Sequence, residues 1–210
     1  EHLILLNNKK TIRLNDLSLE TKLFFEKLSG YDTLRMILCK KAILVEGDSD
    51  ELVVQRAFMD ANNGLLPIEN GIDVISVGTS FLRFLEVAEK LGKNVAVVTD
   101  NDSDVSALNK KYKNYLAANK KQNIKIYFDS ITDTGNLKIG NKEFNYNTLE
   151  PKILKENGLD KMNIVLGKSF VDIDELHKHM KSNKTECALK IFDSSENIKF
   201  PEYILDAIKE

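Results

Sequence analysis

The chain has 210 residues, 42% of them hydrophobic and a formal net charge of −2, enough apolar material for the core of one domain or one domain plus a fragment of another. The charge is uneven: residues 1–105 hold 12 Lys+Arg against 17 Asp+Glu, and residues 106–210 hold 18 against 15, so the halves carry −5 and +3. No apolar run approaches the ~20 residues of a membrane span, no secretory leader pattern opens the chain, and Cys39 and Cys187, in apolar settings and outside any CxxC spacing, read as buried thiols, so a soluble cytoplasmic protein is expected.

Residues 3–6 and 11–14 read as two short strands around a polar turn, a hairpin too small to be stable alone. Beginning almost directly in a strand, residues 1–29 are expected to be the tail of a preceding domain or a linker. Residues 19–39 are expected to be helical, with a break at Ser29-Gly30. From Ala42 the rhythm becomes strand, turn, helix, repeated. Strands are predicted at residues 43–46, 73–77, 95–99 and 124–128. The helix over residues 49–62 pairs Val53 with Ala57 and Val54 with Phe58; the next lines up Phe81, Leu85, Ala88 and Leu91; the third carries Val105, Leu108, Tyr112 and Tyr115. This alternation predicts an α/β fold, a mostly parallel sheet covered by helices, with its site at the carboxyl edge of the strands. After Asp129 turn signals at Thr134-Gly135-Asn136 and Ile139-Gly140-Asn141 suggest a β excursion. A C-terminal helical extension follows, over residues 149–157, 172–181 and 185–192, with a last helix opened by Pro201.

Acidic residues punctuate that edge. Glu46-Gly47-Asp48-Ser49-Asp50-Glu51 follows the first strand of the alternation, Asp100-Asn101-Asp102-Ser103-Asp104 follows the third, and Glu150 opens a later helix. Carboxylates gathered there would repel one another unless a divalent cation sat among them, and hard oxygen ligands select Mg²⁺ or Mn²⁺. Helix capping explains Asp48, Asp50 and Glu51 equally well, but not Glu46, a carboxylate ending an apolar strand. For the aspartate triplet an EF-hand loop fails, because Val105 and Lys111 stand where Gly and Glu are needed. A strand-end turn with helix capping, and a phosphatase using Asp100 as nucleophile and Asp102 as acid, both stay open on the triplet alone.

A strand ending in Glu46-Gly47 and a later strand ending in Asp100-x-Asp102 resemble the signature of the Toprim fold, shared by topoisomerases, primases and OLD-family (overcoming lysogenization defect) nucleases. Further stretches resemble the OLD version: Tyr31-Asp32-Thr33-Leu34-Arg35, Gly47-Asp48-Ser49-Asp50-Glu51, Thr148-Leu149-Glu150, Lys184-Thr185-Glu186 and Phe200-Pro201-Glu202-Tyr203. The likeness covers about residues 30–210. It implies a metal-dependent DNA endonuclease that hydrolyses phosphodiesters with two Mg²⁺ or Mn²⁺ ions. By similarity Glu46, Asp50 and Asp100 would hold one ion, and Asp102, Glu51 and Glu150 the second, with Glu46 also counted as catalytic. Lys184 would neutralise charge near the scissile phosphate. The likeness further implies an upstream ATPase domain. These residues contain no Gly-Lys-Ser/Thr loop, so ATP would act only through that domain, which would also carry a homo-oligomer contact.

All four arginines lie in the first half, so the second half is basic through lysine alone, which suits phosphate attraction more than base reading. Lys110, Lys111 and Lys113 belong to a basic run that fits either a solvated helix face or a surface tracking DNA. His177 and His179, two apart on a predicted helix, cannot share a metal and read as surface or partly packed residues. The competing function is a non-catalytic Toprim module that binds DNA or a protein partner without cutting. No DNA-gate tyrosine domain or zinc-ribbon cysteine set accompanies the motifs, which disfavours a topoisomerase or primase.

Overall fold

The computed structural model describes residues 4–7, 9–27, 31–116 and 121–209. The chain opens with the expected antiparallel hairpin, β1 (Ile4–Asn7) and β2 (Lys10–Arg13), with Leu6 opposite Thr11. Leu3 lies outside the described residues. Ile12 is buried in a cluster with Phe84 and Leu85, so the hairpin covers part of the core. Helices α1 (Leu19–Lys27) and α2 (Tyr31–Leu38) follow, and the expected break falls on residues 28–30, outside the described residues.

The alternation then appears: β3 (Lys41–Val45), α3 (Asp48–Ala61), β4 (Ile72–Ser76), α4 (Phe81–Leu91), β5 (Asn94–Val98), α5 (Val105–Lys111) and β6 (Ile124–Tyr127). The four strands form one parallel sheet in the order β4-β3-β5-β6. All four carboxyl ends therefore open on one edge. The central strands are buried on both faces, and their side chains alternate with the pleat. Ile43, Val45, Ala96 and Val98 enter one core, shared with α3 and the C-terminal helices. Ala42, Leu44, Val95 and Val97 enter the other, shared with α2, α4 and the opening hairpin.

Two expectations about length need correction. The helix after Asp104 ends at Lys111; beyond it Tyr115 N–H donates to Tyr112 O at 2.8 Å in a tight turn, and both tyrosines stay buried without helical backbone. Conversely α6 (Leu149–Leu166) does not stop at Asn157. Gly158 breaks its geometry with φ 76°, a conformation glycine tolerates, and a second helical segment resumes after it. Asn157 pins that break by bonding both backbone groups of Lys199 at 2.9 Å.

Between sheet and α6 lies the β excursion, a hairpin of β7 (Leu137–Ile139) and β8 (Lys142–Phe144) turning at Gly140. The chain closes with α7 (Ile173–Ser182), α8 (Lys184–Asp193) and α9 (Glu202–Lys209). Buried Arg56 of α3 holds the end of α8, donating to the carbonyls of Ile191 (2.7 Å), Phe192 (3.2 Å) and Ser194, and beyond them to Glu196 (2.9 Å). No described helix is long and apolar enough to cross a membrane.

Candidate active site

At the carboxyl edge β3 delivers Glu46, exposed to solvent, and the chain turns into α3 through Gly47. Gly47 lies close against Asp50: its N–H donates to Asp50 Oδ2 at 3.1 Å, and a Cβ on it would stand 3.3 Å from that oxygen. Asp50 is pushed up to about 6 by burial, helped by the charges of Glu150 and Glu46, which outweigh the Gly47 bond.

β5 delivers Asp100 next door. Its Oδ2 accepts the N–H of Leu149 at 3.0 Å and its Oδ1 accepts the hydroxyl of Tyr203 at 3.2 Å. Burial, then the charges of Asp50 and Glu150, push this carboxyl up to about 8 despite both bonds. Glu150, in the first turn of α6, is only 5% exposed. Lys184 Nζ stands 3.0 Å from its Oε1 and Lys181 Nζ 3.6 Å from its Oε2, an oxygen with no hydrogen-bond partner. These lysines flank Asn183, which both ends α7 and opens α8. Burial works against the charge on Lys184, but Glu150, Asp50 and Asp100 together raise its pKa.

The comparisons with known proteins meet this geometry at the same strands. Residues 37–102, which span β3 to Asp102, match the family model of the overcoming lysogenization defect protein-like Toprim domain. This segment is an OLD-like Toprim domain. Solved C-terminal regions of OLD proteins share the fold of the chain more widely. That of Xanthomonas campestris pv. campestris has 19% identity and a TM-score of 0.55, over 83% of this chain and 93% of its own. That of Burkholderia pseudomallei has 16% identity and a TM-score of 0.53, over 81% and 97%. No curated protein matches the chain.

The remaining singled-out residues are placed differently from that cluster. Glu51 turns to β4: Arg35 donates to its Oε1 at 3.0 Å and the Ser76 N–H to its Oε2 at 3.0 Å, while the same guanidinium holds Asp73 at 2.8 Å. Asp102 is exposed in the turn after Asp100, with φ 46°, and Asp104 caps α5 by accepting the Ala107 N–H at 2.9 Å. Lys110 and Lys111 are exposed on α5 and Lys113 in the turn beyond, with Lys111 Nζ lying over the rings of Phe81 and Tyr112. His177 corrects its reading as surface or partly packed. It is fully buried, with Phe144 against its ring edge, and burial lowers its pKa.

Sequence reasoning singled out Lys184 but missed two other partners of the acids, Lys181 and the hydroxyl of Tyr203. Lys181 carried no motif of its own, and Tyr203 was visible only as part of Phe200-Pro201-Glu202-Tyr203. An open groove of roughly 440 Å³ runs beside the end of β6, with Tyr203 on its wall. Asp129, Asp133, Glu202 and Asp206 line it beside Lys152 and Lys155, too acidic a surface to follow a phosphate backbone.

Among the described residues no group of three or more His, Cys, Asp or Glu side chains is arranged to hold an ion as it stands. The donor chemistry nevertheless fits a hard divalent cation. All the acids of the cluster offer oxygen, two of them are held above the usual carboxylate range by burial and then by mutual repulsion, and the inner oxygen of Glu150 has no hydrogen bond. Rotation of these side chains away from Lys181 and Lys184 would be needed to close around an ion.

Proposed function

We propose that this Toprim domain is the cleaving part of a divalent-metal-dependent DNA endonuclease of the OLD type, hydrolysing phosphodiester bonds. The observation that carries the reading is the meeting of Glu46, Asp50, Asp100 and Glu150 at one sheet edge with Lys184 beside them. Buried like charges cost stability and persist where they serve a site. Mg²⁺ or Mn²⁺, as a pair, would supply stabilisation of the attacking and leaving oxygens of an in-line displacement. Glu46, Asp50 and Asp100 would hold one ion, with Glu150 and, after rotation, Asp102 and Glu51 towards the second.

The chain's own residues do the rest. Lys184, half exposed, reaches from the rim of the cluster and places an ammonium where a phosphate gathers negative charge. Lys181 stands behind it on the same carboxylate. Lys110 and Lys111 on α5 and Lys113 in the turn beyond offer a basic bank near Tyr112, whose pKa the charge of Glu46 raises further after burial. ATP would enter only through an ATPase domain elsewhere in the polypeptide, which would also join copies of the protein. The setting is the cytoplasm, where Cys39 and Cys187, both buried free thiols, stay reduced.

One observation favours a second reading. Glu150 is already neutralised by lysines and Glu51 by Arg35, as in a module that binds DNA or a partner without cutting. Supercoiled plasmid incubated with the protein in Mg²⁺, Mn²⁺, Ca²⁺ or EDTA separates the two. Nicked product in Mg²⁺ or Mn²⁺ and none in EDTA supports the endonuclease. Retarded but intact plasmid in every condition supports the binding module.

A further inference from the structure

Tyr203 lies outside the carboxylate set, on the last helix of the chain, yet its hydroxyl touches the most perturbed acid of the site. The side chain is buried, with Lys152 Nζ 5.9 Å above its ring, and Lys152 in turn pairs with Asp129 at the end of β6. The phenol directs its O–H at the carboxyl group and donates to it. Asp100 therefore receives one donor on each oxygen: Tyr203 at 3.2 Å on Oδ1 and the Leu149 N–H at 3.0 Å on Oδ2. Two donors on two oxygens fix the plane of the carboxylate and leave each oxygen a lone pair for another partner.

We propose that Tyr203 is a positioning residue for Asp100, its hydroxyl holding the carboxylate in the orientation that receives a divalent cation. The assignment rests on reading the cluster as a cation site. The backbone donor from Leu149 cannot be varied by sequence, so Tyr203 is the adjustable half of the clamp. Its helix α9 packs against β5 and β6 as well as α3, which brings the hydroxyl to Asp100. Without the hydroxyl, Asp100 keeps its place and its neighbours but gains freedom to rotate, and that freedom must be lost again on binding.

The test is a Mn²⁺ titration of four proteins: wild type, Tyr203→Phe, Asp100→Asn and the double variant, each with its thermal midpoint measured alongside. Phenylalanine fills the place of the ring, so folding is retained. Tyr203→Phe is expected to weaken Mn²⁺ binding about tenfold. In the Asp100→Asn background the same change should alter affinity by less than about twofold, because its only route is already cut. Wild-type affinity in Tyr203→Phe, while Asp100→Asn binds weakly, would overturn the positioning role alone. Equal loss in both backgrounds would also overturn it, since that is what damaged packing produces. If wild type binds no Mn²⁺, or Asp100→Asn binds as well as wild type, the cation reading falls and this assignment with it.

Discussion

A carboxyl group pushed up to about 8 keeps its proton at neutral pH unless a positive charge takes the proton's place, and that governs the behaviour of Asp100. In the unfolded chain its pKa returns to about 3.9, so the folded state binds this proton more tightly. The resulting stability is fully present below about pH 4 and is lost as pH rises through about 8. Asp100→Asn cannot ionise and escapes that loss, and the Tyr203 hydroxyl can turn to accept from the new amide. In the metal-free protein the two should melt alike near pH 4 to 5 and diverge towards pH 9, with the variant ahead by on the order of a few kcal/mol. Parallel melting curves across that range would remove the electrostatic account of the site. Lys184 makes a kinetic prediction. Lys184→Ala should lower kcat and kcat/KM together by ~10²–10³ while Mn²⁺ affinity changes little, and Lys184→Arg should rescue poorly. A rise in KM alone would make it an ordinary phosphate contact. Glu46 and Asp100 could be singled out from sequence because each ends an apolar strand. Tyr203 could not, since its bond to Asp100 spans 103 positions and no local pattern encodes it.

Elements were legible where one period dominated. The alternation of strand and helix from Ala42 to Tyr127 declares itself through the short continuous apolar runs of β3 and β5, buried on both faces, and the apolar stripe of α4. It faded where turn bonding replaced helix around Tyr112, and where Gly158 interrupted α6 without ending it. The join of α3 to α8 was equally hidden, because it runs from one guanidinium to backbone carbonyls that any sequence would supply. Arg56 closes the end of α8 whose other end carries Lys184. Arg56→Ala leaves those carbonyls without donors, at about 1–3 kcal/mol for each group left buried. Urea unfolding should therefore show a loss of about 3 kcal/mol or more, with an unchanged slope. An unchanged midpoint would mean that α8 is held by its apolar face alone.

For the whole molecule, the distribution of charge decides how a polyanion is met. Three of the arginines are committed internally: Arg35 to Asp73 and Glu51, Arg56 to carbonyls, and Arg83 to Glu20 and the face of Phe24. Lysines are left as the main phosphate contacts, and they act as point charges. DNA affinity should consequently fall steeply with salt and vary little with sequence, which a binding series in rising NaCl on unrelated duplexes would measure. Affinity that holds from low to high salt would contradict it. The site itself is a property of the assembled fold, drawing on β3, α3, β5, α6, α8 and α9, from Glu46 to Tyr203. Its central claim is that these carboxylates are the reacting centre. The direct measurement is plasmid nicking in Mn²⁺ by wild type, Glu46→Ala and Asp100→Asn at equal concentration, each first shown to be folded by circular dichroism. Nicking by wild type and none by either folded variant is the predicted result, and undiminished nicking by both variants would contradict the account.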